Sequence, residues 1–127
     1  MVDKESVRAL LERYCAAMNE GRREDWLDCF ADDAFQEDPV GARANVGREA
    51  IGRFFDANKV PVTLTVTSDP LIAGREVIGF FQVSAEMNGN KMLLPRIIDH
   101  IMLTEDGTRI QSLRAFFDYA EMVPAGE

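Results

Sequence analysis

Beyond Val62 the apolar residues of this chain recur with a period of two almost to its end. Two turn-forming stretches punctuate the pattern, "NGN" at 88–90 and "EDGT" at 105–108. A period of two puts alternate side chains on opposite faces of a strand, and tight turns between such runs call for antiparallel hairpins. The segments concerned are "VTLTVTSDP", "EVIGFFQVSAEM", "KMLLPRIIDHIMLT" and "RIQSLRAFFDY". A sheet made this way has one face to cover, and the cover has to come from the residues before it.

Those residues carry helical spacing. In "DKESVRALLERYCAAMNEG", Val7, Leu10, Leu11, Tyr14, Cys15 and Met18 fall on one side, with Asp3 placed to cap the helix and Gly21 to stop it. A second short helix is expected in "REDWLDCF", with Trp26, Leu27 and Phe30 on one side. A third is expected in "GREAIGRFFDAN", with Ile51, Phe54 and Phe55. The expectation is an α+β fold, three N-terminal helices packed on a curved antiparallel sheet. With 127 residues, 46% of them hydrophobic, and no linker or repeat, a single domain over 1–127 is expected.

The formal charge of -8 disfavours nucleic acid or an anionic membrane as partner. The one adjacent basic pair, Arg22 and Arg23, is flanked by Glu20 and Glu24. No apolar run is long enough to span a membrane and "MVDKESVRAL" lacks a secretory pattern, so a cytoplasmic location is expected. Cys15, Cys29 and a single histidine do not make a zinc set. There is no GxGxxG, P-loop or HExxH pattern, so neither a metal nor another cofactor is expected.

Three polar residues sit where apolar ones would pack better. Asp99 is the one polar group on the face formed by Leu93, Pro95, Ile97, Ile101 and Leu103. An ionised carboxylate there is costly unless it is paired, exposed at a pocket, or kept neutral by a raised pKa. Pro95 has no N–H for a sheet ladder, so an edge position or a bulge is expected near it, and a bulge would re-aim the residues C-terminal to it, Asp99 included. His100 points to the opposite face and makes no dyad with Asp99. In "QEDPVG", Asp38 precedes Pro39 at the end of an extended segment, which is a turn signal on its own. Tyr14 lies in the buried stripe of the first helix, and its hydroxyl needs a carbonyl, a carboxyl or a ligand oxygen.

Taken together, "RYCAAMNEG" around Tyr14, "FADDAFQEDPVG" around Asp38, "IIDH" around Asp99 and "LRAFF" near the end resemble the Δ5-3-ketosteroid isomerases. These belong to the cone-shaped α+β domains related to nuclear transport factor 2. The resemblance implies that Asp38 is a base moving a proton from C4 to C6 of a 3-ketosteroid through a dienolate. It also implies that Tyr14 and a protonated Asp99 form the oxyanion hole for the 3-oxygen. Asp38 should then be ionised near water and Asp99 neutral among isoleucines. Phe54, Phe116 and Met18 are the expected substrate-binding residues of an apolar pocket. With Phe30, Phe54 and Phe55 near Tyr14, and Tyr119 the other tyrosine, a short hydrogen-bond network is expected.

Two competing readings share this fold: a polyketide cyclase or dehydratase, and a non-catalytic carrier of hydrophobic ligands. The joint presence of Tyr14, Asp38 and Asp99 favours the isomerase, and no histidine is placed for dehydratase chemistry. Apolar residues on both faces of the late strands lead to the expectation of a homodimer.

Overall fold

The computed structural model describes residues 2–58 and 60–125. Helix α1 runs Lys4–Asn19, its first turn capped by the Asp3 carboxylate, which accepts from the Ser6 N–H at 2.8 Å. Val7, Leu10, Leu11, Tyr14, Cys15 and Ala17 make its buried face, and Gly21, at φ 69°, lets the chain turn away after it.

Helix α2 covers only Arg23–Leu27. Phe30, expected on that helix, instead opens strand β1 (Phe30–Glu37). Strand pairing prevails over helical spacing there: Phe30 is in register with Ile110, and the Ile110 N–H donates to the Cys29 carbonyl at 2.8 Å. Two-residue β2 (Asn45–Val46) and helix α3 (Arg48–Ala57) come next. The late strands are β3 (Val62–Ala73), β4 (Glu76–Met87), β5 (Asn90–Leu103), β6 (Ile110–Phe116) and β7 (Val123–Pro124), with a 3-10 turn at Tyr119–Glu121. Among the described residues no helix is long and apolar enough to cross a membrane.

The strands form one curved open sheet in the order β2-β1-β6-β5-β4-β3, with β7 paired to β5. The sheet is not wholly antiparallel as expected, because β1 runs parallel to β6. Four strands and α3 separate β1 from β6 along the chain, and a segment that joins the sheet through so long a crossover is free to lie parallel, which a hairpin is not. The core between helices and sheet is dominated by Trp26, Phe30, Phe81, Leu11, Ile51 and Ile101.

Two local devices shape the inner face. Phe81 pairs with Ile97 and Val83 with Leu94, so Pro95 and Arg96 on β5 both stand opposite Gln82. This is the bulge that Pro95 required, and it shifts the phase of the strand. After it Ile97, Asp99, Ile101 and Leu103 are buried; before it Leu94 is buried, while Pro95 is exposed. Leu93 and Pro95 therefore do not share a face with Asp99.

The second device is Asn19, whose amide straps α1 to edge strand β3. Its Nδ2 donates to the Leu64 carbonyl at 2.9 Å, and its Oδ1 accepts from the Leu64 N–H at 2.7 Å. Replacing Asn19 by Ala removes both bonds at an exposed position where water can partly substitute. Urea denaturation should show the unfolding free energy lowered by about 1 kcal/mol.

Candidate active site

The sheet register brings two carboxyl groups toward one region, and helix α1 brings a tyrosine. Gly79 on β4, Asp99 on β5 and Ala115 on β6 are cross-strand partners, all three buried. The next step along this row is made by β1. Glu37 is in register with Arg114 and the Val40 N–H donates to the Ala115 carbonyl at 2.8 Å, which sets Asp38 beside Ala115. Asp99 and Asp38 are thus two strand spacings apart, about 10 Å between backbones. The row is low because Gly79 and Ala115 are small. A Cβ on Gly79 would come within 2.8 Å of the Phe81 ring.

Asp99 is 4% exposed, and its Oδ1 has no hydrogen-bond partner among the described residues. Burial, and after it the negative charge of Asp38, hold its carboxyl well above the usual carboxylate range. A neutral carboxylic acid with an unused polar atom is a hydrogen-bond donor without a protein acceptor. His100 points away from Asp99 as alternation requires, its Nε2 lying 2.8 Å from the Glu76 carboxylate.

Tyr14 reaches the region from α1. Its ring packs at 5.6 Å from Trp26 and 6.0 Å, edge-on, from Phe30, so the rings it meets there carry no hydroxyl. Burial and then the negative charge of Asp38 push its hydroxyl well above the ordinary value of 10, so it stays a donor.

Asp38 is partly buried rather than standing in water, at the end of β1 and joined to Pro39 by a cis peptide bond. Burial pushes its carboxyl up to about 6. At neutral pH it is still mostly ionised, and its conjugate acid is strong enough to give the proton back.

Asp38 and Tyr14 both line a cleft of about 280 Å³ whose other walls are almost entirely apolar. Met18 and Phe54 line it, with Leu64 and Val83 from the sheet. Phe116 does not line it. It is 43% exposed and packs beneath the Arg114 guanidinium, 5.4 Å from carbon to ring centroid, while Phe117 forms the wall. The alternation of buried Leu113 and Ala115 continues to 117, and that signal is present in the sequence. Tyr119 and Met122, from the 3-10 turn and the residue after it, also line the cleft, and no periodicity announces them. Asp99 is not part of the lining; Ile97, two residues before it on the same strand face, is.

A family model described as a SnoaL-like domain matches residues 11–113. A steroid Δ-isomerase of Nocardioides simplex is 34% identical over 121 residues, covering 92% of this chain and 94% of that protein. Two solved structures share the fold. The Δ5-3-ketosteroid isomerase from Mycobacterium sp. matches with a TM-score of 0.78 at 22% identity, over 93% of this chain and 97% of that one. The epoxide hydrolase/cyclase-like enzyme SalBIII, with a role in pyran ring formation in the polyether salinomycin, matches with a TM-score of 0.84 at 24% identity, over 98% and 99%.

Proposed function

Because the chain belongs to the SnoaL-like domain family, we propose that it is an isomerase that moves the 5,6 double bond of a 3-ketosteroid to the 4,5 position. The fold alone does not choose this chemistry, since a cyclase-like enzyme shares it. The observation that carries the reading is a buried aspartate and a partly buried one, both with carboxyls raised above the usual range, beside a buried tyrosine. Asp38, at about 6, reaches an apolar cleft, and Asp99, held well above the usual carboxylate range by burial, has an unpartnered oxygen.

The reaction asks for what these groups can supply. A proton leaves C4 to a base, the electron pair moves through the dienolate onto the 3-oxygen, and the same proton returns at C6. Asp38 is the base: its carboxylate accepts the proton and then delivers it from one face of a flat ligand. Tyr14, at the cleft wall, donates a hydrogen bond to the 3-oxygen as its charge grows, and neutral Asp99, behind the lining two residues past Ile97, supplies a second where the ligand oxygen reaches it. Both are uncharged donors in dry surroundings, so their dipoles act with little screening. The apolar walls hold the ring system by burial and leave these polar atoms to set its orientation.

A spectrophotometric assay tests the reading. Purified protein mixed with a 5-ene-3-ketosteroid should raise the ultraviolet absorbance as the double bond conjugates with the ketone. Binding without any rise would remove the isomerase and leave the ligand carrier.

The base sets the pH dependence. Asp38 must be ionised to act, so kcat/KM should fall tenfold per pH unit below about 6 and level off above it. A profile flat down to pH 4 would contradict Asp38 as the base in its buried setting.

A further inference from the structure

Resting on the base role given above to Asp38, we propose that Glu37 is a positioning residue that, through Arg114 and the backbone of Gly41, fixes where the Asp38 carboxylate stands. One carboxylate holds the turn after β1 at both ends. Its Oε1 accepts from Arg114 Nε on β6 at 2.9 Å, and its Oε2 accepts from the Gly41 N–H at 3.0 Å. The Val40 N–H donating to the Ala115 carbonyl ties down the same turn from the backbone side.

Strand alternation puts Glu37 on the face opposite Asp38, and Glu37 is not among the residues lining the cleft. With both carboxylate oxygens engaged, by Arg114 and by Gly41, it acts on the ligand only through its neighbour. Arg114 is itself steadied over the Phe116 ring. This gives Phe116 a place in the site's outer support in place of its expected place in the wall. The Gly41 N–H and then Arg114 hold the Glu37 carboxyl below the usual range, so the clamp is already ionised at the pH where Asp38 titrates. Positioning of this kind has leverage, because a shift of 1 Å in a reacting group costs up to about a hundredfold in rate.

The test compares Glu37→Ala, Glu37→Gln, Arg114→Ala and the double variant Glu37→Ala/Arg114→Ala in the isomerisation assay. Alongside it, the Asp38 carboxyl is titrated by carbon-13 NMR. Glu37→Ala should lower kcat roughly ten- to a hundredfold, with KM changed by less than about twofold. Glu37→Gln should fall between it and the native chain, since an amide oxygen still accepts from Gly41. The double variant should be no slower than Glu37→Ala alone, because the two residues serve one network. In Glu37→Ala the Asp38 titration should move from about 6 toward the ordinary carboxylate value, as a loosened side chain gains water. A role in stability alone would lower the melting temperature and leave both readouts unchanged.

A folded Glu37→Ala chain with native kcat and Asp38 still titrating near 6 overturns the proposal, and if that variant does not fold, Glu37→Gln decides by the same readouts. A native chain without turnover removes the isomerase reading separately, and the Asp38 titration then decides the role of Glu37.

Discussion

Asp38→Asn should reduce kcat by on the order of 10²–10⁴ while making the folded chain more stable at neutral pH. The amide keeps the shape of the carboxylate and has no basic site for the C4 proton. The stability effect is one of linkage. The folded Asp38 carboxyl titrates at about 6, above its unfolded value, so the stability it contributes is present at low pH and is lost as pH rises through about 6. The rise of the Asp38 carboxyl from its ordinary value to about 6 corresponds to roughly 3 kcal/mol, an upper figure for a partly buried group. Steady-state kinetics and thermal melting on the same sample check both halves. A variant that is slow because it is unfolded would show the opposite melting shift.

The second large effect concerns Asp99. Asp99→Leu should lower kcat by roughly 10²–10³, the scale of losing one donor aimed at a developing oxyanion. It should also raise the melting temperature at neutral pH. The folded carboxyl titrates well above the unfolded one, so native stability declines as pH rises from about 4 toward the folded value, and leucine abolishes that decline. Melting temperatures of the native chain and Asp99→Leu across this range should therefore diverge as pH rises. If they stay parallel, Asp99 is not held neutral. Tyr14→Phe, measured beside it, should lose a comparable factor in kcat. Both aspartates thus stand at a cost to the fold, as expected where residues are kept for chemistry.

Much of this arrangement is legible along the chain. The period-two runs and the turn at 88–90 locate β3, β4 and β5. The odd acid in an apolar strand marks Asp99, and the Asp-Pro turn marks Asp38. What is not legible is long-range. Nothing local to "REDWLDCF" says that Phe30 pairs with Ile110, eighty residues away, so helical spacing is the only signal Phe30 offers. The parallel partnership of β1 and β6 is hidden for the same reason.

Pro95 announces a bulge but not its effect on phase, and plain alternation therefore sets Leu93 on the wrong face. The acidity of Asp38 is equally hard to read. The resemblance implies an ionised acid near water, whereas the turn, tied to β6 by the Val40–Ala115 bond, is buried enough to take much of that water away.

That bulge also separates two tasks within β5. Upstream of it, Leu94 belongs to the cleft wall; downstream, Ile97 and Asp99 face the same interior from a backbone read in the other frame. A single extra residue thus lets the strand carry two independently addressed messages, one in the wall before the bulge and one in the wall and acid after it. Residues before Pro95 can be exchanged to reshape the cleft without turning Asp99 to the other side. For protein engineering the strand offers a wall in two parts: Leu94 upstream is open to retargeting by itself, whereas Ile97 downstream shapes the wall on the same face that carries the acid.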